Sequence, residues 1–272
     1  VFVQSGGSLT VSGTLTVTGN TATGGNAGPD GAAAGSGFGS AIFYQGSDGT
    51  VSTLTMGAGN QTISGAGPTT VIADYTGSGG TNPGGGTNTA DQGGSLALSK
   101  SGGGTLTLSG ANTYSGGTTV TAGTLIAGNN SALGSGTLAM AAGTTLSFAT
   151  GADYTIANNL QVSGDSIFTP PSGQTDTISG VISDGTSAGS VSMQGAGTLV
   201  LDPTGGSNTY SGGTTIDSGT VDLMTAGAAG SGAITFPDPP VSSRTLEFAA
   251  ANAPTNAIDN FGTGDVIQID NF

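Results

Sequence analysis

The chain has 272 residues, with 16 acidic and 2 basic side chains and a formal net charge of −14. A polyanion of this kind is repelled by phosphate backbones, which excludes nucleic-acid binding and leaves divalent cations or basic surfaces as electrostatic partners. With no Cys and no His, disulfide frameworks, thiolate or imidazole metal sites and Ser-His-Asp catalysis are excluded as well.

Only 7% of residues are charged, and Gly alone supplies 54. Glu and Lys occur once each, as Glu247 and Lys100, while Thr, Val and Ile are plentiful, a composition that favours strands and turns over helices. No apolar run is long enough to span a membrane as a helix, so no membrane insertion is expected of this segment.

Residues 1–100 predict N-terminal coils interrupted by two Gly-rich loops, 23–39 and 76–94, the second containing Pro83. Within this stretch Gln61-Thr62-Ile63-Ser64-Gly65 is followed by Val71-Ile72-Ala73-Asp74. Further on, Asp176-Thr177-Ile178-Ser179-Gly180 is followed by Val181-Ile182-Ser183-Asp184 in the same order.

Residues 101–250 hold the strongest repetition. Gly104-Thr-Leu-Thr-Leu108 leads into Asn112-Thr-Tyr-Ser-Gly-Gly-Thr-Thr119 and then Gly123-Thr124-Leu125. Gly197-Thr-Leu-Val-Leu201 leads into Asn208-Thr-Tyr-Ser-Gly-Gly-Thr-Thr215 and then Gly219-Thr220-Val221, an offset of 96. Inside these units apolar and polar residues alternate, as at Leu106 and Leu108, Leu146 and Phe148, Leu199 and Leu201, and Leu246 and Phe248. Period two marks strands with one buried face.

The motifs recur along the chain rather than pairing as hairpins, so the expected fold is all-β, a single β-solenoid over 1–272. At roughly 20–25 residues per coil it would have about a dozen coils, and 96 residues would be four or five of them, placing Tyr114 and Tyr210 on one side of the rod. Pro237–Pro240 marks a late turn or extended segment, and 251–272 is read as a C-terminal coil or cap.

The two Asn-Thr-Tyr-Ser-Gly-Gly-Thr-Thr units and their flanking Gly-Thr-Leu strands resemble the passenger-associated repeat of bacterial autotransporters. The resemblance implies a right-handed parallel β-helix, secreted by a Gram-negative bacterium and extracellular or held at the cell surface, with roles in adhesion, aggregation or biofilm matrix. Its partners would be itself, glycans or cell surfaces. An alternative is a structural subunit stacking head-to-tail into an extracellular filament.

A third alternative is a polysaccharide-acting enzyme. Asp202, Asp217 and Asp222 fall in one repeat and could approach one another on adjacent strands, as paired carboxylates do in glycoside hydrolysis. The sister repeat carries Ser109, Thr121 and Ile126 at those places, so these positions read as solvated surface. Asp259 to Asp270 has the length of a calcium loop, with Phe261 and Thr263 where ligands belong. Asn112 and Asn208 read as turn-satisfying residues, and the two tyrosines as packing over a turn. The sequence therefore predicts no catalytic residue, no metal site, no cofactor and no enzyme activity.

Overall fold

The computed structural model describes residues 1–4, 7–22, 39–46, 49–65, 70–76, 93–238 and 243–271. Most of the two predicted Gly-rich loops, 23–38 and 77–92, and Pro239–Pro240 of the late turn lie outside the described residues. Every pairing between named strands is parallel, and the chain winds as a β-solenoid with three ladders of stacked strands. The one antiparallel contact among the described residues is the bridge between Gly46 and Gly93.

The first ladder stacks Leu9–Val11, Val51–Met56, Ser95–Lys100, Thr118–Val120 and Leu138–Met140, then the opening halves of Leu160–Thr169 and Ile182–Met193. The second stacks Leu15–Asn20, Gln61–Gly65, Thr105–Leu108, Thr124–Ala127 and Thr145–Phe148. It continues through the closing halves of those two long strands to Thr214–Ile216, Ile234–Thr235 and Ile258–Asp259.

The third ladder begins with Phe2–Gln4, Ile42–Gln45 and Ile72–Asp74. It passes through two irregular segments, where Thr113 N–H donates to Ile72 O at 3.0 Å and Asn112 N–H to Ser131 O at 3.0 Å. It then resumes as Thr155–Ile156, Thr175–Ile178, Thr198–Leu201, Gly219–Leu223, Arg244–Ala249 and Asp265–Asp270.

Alternation does what the sequence predicts. Leu106, Leu125, Leu146, Phe168, Met193 and Ile216 stand in register on successive strands, and each is wholly buried. Each such side chain contributes about 1.5–3 kcal/mol by leaving water. The intervening threonines face outward, half-buried against their neighbours in the ladder.

Two expectations change. Among the described residues the second ladder has ten strands rather than a dozen. The first two steps of the first ladder, Leu9 to Leu54 to Leu98, take 45 and 44 residues, whereas Leu98 to Thr118 to Leu138 takes 20 each. The Gly-rich stretches fall in those long steps, so the N-terminal hundred residues yield few rungs.

Tyr114 and Tyr210 also do not share a side. Tyr114 leads into Thr118 on the first ladder and Tyr210 into Thr214 on the second. Thr209 N–H donates to Ile182 O on the first ladder at 2.8 Å. The 96-residue offset is four coils and one face, because the coil length does not divide it evenly.

Candidate functional site

The shared octapeptide makes the same joint twice, and it joins three coils. Asn112 Oδ1 accepts from Ile72 N–H at 2.8 Å while its Nδ2 donates to Ala132 O at 2.6 Å. Asn208 Oδ1 accepts from Ile182 N–H at 2.7 Å and its Nδ2 donates to Ala228 O at 2.7 Å. Each asparagine thus ties its own coil to the one before and the one after. Both are buried, where an unpaired amide would be costly.

The tyrosines are fully buried, and each hydroxyl lies 2.6 Å from the next threonine, Tyr114 to Thr118 and Tyr210 to Thr214. Burial raises both phenols far above their ordinary range. The Gly-Gly pair has two separate causes. A Cβ on Gly116 or Gly212 would meet the carbonyl oxygen of Leu96 or Gly189 at 2.8 and 2.7 Å. Gly117 and Gly213 have φ of +84° and +89°, a left-handed turn that L side chains rarely adopt.

An aspartate from the preceding coil completes each joint. Asp74 Oδ2 accepts from Leu96 N–H at 2.7 Å, Ser115 N–H at 2.6 Å and Ser115 Oγ at 2.9 Å. Asp184 Oδ1 accepts from Gly189 N–H at 2.7 Å and Ser211 N–H at 2.9 Å, and its Oδ2 from Ser211 Oγ at 2.7 Å. The backbone hydrogen bond from Gly189, followed by those from the Ser211 side chain and backbone, holds the Asp184 carboxyl below its usual range. These two aspartates close the Val-Ile-x-Asp segments that recur before each octapeptide. That recurrence was the available signal, though nothing in sequence showed that the segment lies against Ser115 or Ser211.

The acidic trio is only partly assembled. Asp222 stands in register with Glu247, and Glu247 with Gln268, on the outer side of the third ladder. Gln268 Nε2 donates to Glu247 Oε1 at 2.8 Å. Burial, then the charges of Asp270 and Asp202, push the Asp222 carboxyl up. Glu247 is raised by burial and by Asp222 and Asp270. Asp222 is thus half-buried, not the freely solvated group its sister residue suggested. Asp217 is elsewhere, just past Thr214–Ile216, and accepts from Ser192 Oγ at 2.9 Å.

Asp259 to Asp270 forms no loop around a common point. Asp259 ends a strand of the second ladder and Asp270 one of the third. Asp265 pairs with Arg244 at 2.7 Å. Among the described residues no group of three or more acidic side chains is arranged to hold a metal ion. No helix among them is long and apolar enough to cross a membrane.

Two further buried groups were not singled out in sequence. Asp176, wholly buried below Leu199, accepts from Tyr154 N–H through Oδ1 at 2.8 Å. Among the described residues its Oδ2 has no partner, and burial pushes its pKa up to about 6. Lys100, equally buried, donates from Nζ to Gly102 O at 2.7 Å and Ser101 O at 3.1 Å, with Gly57 O and Ala122 O at 3.4 Å. Burial lowers its pKa.

A family model described as the passenger-associated-transport-repeat matches the chain twice, over residues 98–127 and 192–223. The matches cover the octapeptide and the strands around it in each copy, consistent with an autotransporter passenger domain. No curated protein and no solved structure matches the chain.

Proposed function

We propose that this chain is an autotransporter passenger that works without catalysis at the surface of a Gram-negative bacterium, in adhesion, aggregation or the biofilm matrix. The observation that carries this reading is the passenger repeat, present twice and built into the same three-coil joint each time. Its Asn and Ser side chains hold coils together and its Tyr and Thr hydroxyls bond each other inside the joint, which suits a rod whose task is extension and display. The partners in this reading are further copies of itself, glycans or cell surfaces.

A second reading is an extracellular filament, in which the parallel stacking that joins coil to coil along each ladder continues from one copy into the next.

Negative-stain electron microscopy of the purified protein, with and without millimolar Ca²⁺, separates the readings. Short separate rods support the display reading. Long uniform filaments would replace it with the fibre.

A further inference from the structure

The chain has a single lysine and a single arginine, and the fold buries both. Lys100 is 0% and Arg244 1% exposed. Neither lies on a strand at the edge of a sheet. Lys100 ends Ser95–Lys100, which is paired on one side with Met56 and on the other with Val120. Arg244 opens Arg244–Ala249, which lies between Gly219 and Asp265. Its guanidinium pairs with Asp265 at 2.7 Å, hydrogen-bonds Pro237 O, and sits 5.6 Å from the centre of the Phe236 ring.

We infer that the native rod has no usable cleavage site for trypsin-like peptidases and no accessible side-chain amine. A peptidase of this class needs the cationic side chain in its specificity pocket and the neighbouring backbone extended in its cleft. Here the side chain is inside the solenoid and the backbone is committed to ladders on both sides, so either bond becomes available only when coils separate. The consequence is a surface whose side-chain charge is all negative, resistant to cleavage after Lys or Arg and without a side-chain amine for amine-directed reagents. This inference does not depend on whether the rod adheres or polymerises.

The test is digestion of the intact chain with trypsin, followed by mass spectrometry, beside the same chain held in urea at a concentration trypsin tolerates. In urea, fragments 1–100, 101–244 and 245–272 are expected. Without urea, the full-length mass is expected to persist at least 100-fold longer. Cleavage after Lys100 or Arg244 at similar rates in both conditions would overturn the inference. Acetylation by an N-hydroxysuccinimide ester supplies a second readout. Modification of native Lys100 as fast as in urea would also overturn it, and modification confined to the N-terminal amine is the result expected.

Discussion

Asp184 holds Ser211 by two bonds across consecutive coils, accepting its backbone N–H at 2.9 Å and its hydroxyl at 2.7 Å. These bonds need the carboxylate, and they keep its folded pKa below the ordinary value. A carboxyl with a lowered folded pKa stabilises the fold above its unfolded pKa, and that stability is lost as pH falls through the folded value. Asp184→Asn should therefore lower the Tm at pH 7, with the gap to wild type closing as pH falls through the folded pKa, below the ordinary carboxylate range. Thermal unfolding followed by circular dichroism across that range measures it. An equal gap at all pH values would mean the carboxylate charge is immaterial.

The asparagine joints should be sensitive to truncation. Asn208→Ala strands the Ile182 N–H and the Ala228 carbonyl that the side chain now satisfies, each costing about 1–3 kcal/mol when buried. Asn112→Ala should cost a similar amount through Ile72 and Ala132. Urea titrations of both variants check this. A loss below about 0.5 kcal/mol in either would show that water replaces the amide.

Asp176 has the opposite pH signature from Asp184. Its folded pKa is raised to about 6 by burial, so its contribution is fully present below the unfolded value and is lost as pH rises through about 6. Asp176→Asn should gain stability over wild type at pH 8 and little at pH 4. Direct titration by carboxyl carbon NMR should find this group titrating at about 6. Glu247→Gln, which relieves the like-charged contact with Asp222 and Asp270, should shift stability in the same direction.

Lys100 occupies the place that Met193 takes in the second repeat, since Val120 pairs with Lys100 as Ile216 pairs with Met193. Among the described residues its ammonium has only carbonyl partners, two of them at 3.4 Å. Burying a charge without a counter-ion costs several kcal/mol, more than two good hydrogen bonds return. Lys100→Met should be at least as stable as wild type at pH 7. Equilibrium unfolding decides it, and a loss of more than about 1 kcal/mol would show that the carbonyl cage outweighs desolvation.

Much of the fold was legible in the chain. Alternation at Leu106 and Leu108 or Leu246 and Phe248 reports strands directly, because a buried face of period two leaves that trace. The repeat reported stacking, because neighbouring coils must satisfy one another. The face on which each copy sits was not legible. An offset of 96 fixes neither coil length nor phase, and coils here range from 19 residues between Leu106 and Leu125 to 46 between Leu15 and Gln61. The joints were half legible. Asn112, Tyr114 and the glycine pair announce a tight turn, but Asp74 and Asp184 act across coils, and sequence spacing does not encode which coil lies beneath. Asp217 illustrates the same limit. It is near Asp222 in sequence, yet the chain turns a corner between them.

The change of face between the two repeats is the relationship on which the account depends most, and the absence of native Cys makes it directly measurable. Two double variants, Ser183→Cys with Thr209→Cys and Ser183→Cys with Thr215→Cys, are treated with a short thiol-specific crosslinker and analysed by peptide mass spectrometry. Ser183 adjoins Ile182, whose carbonyl accepts from Thr209 N–H, whereas Thr215 pairs with Ser192 and Thr235 on the next ladder. The account predicts efficient linkage of 183 to 209 and little of 183 to 215. Preferential linkage of 183 to 215 would place both repeats on one face and contradict it.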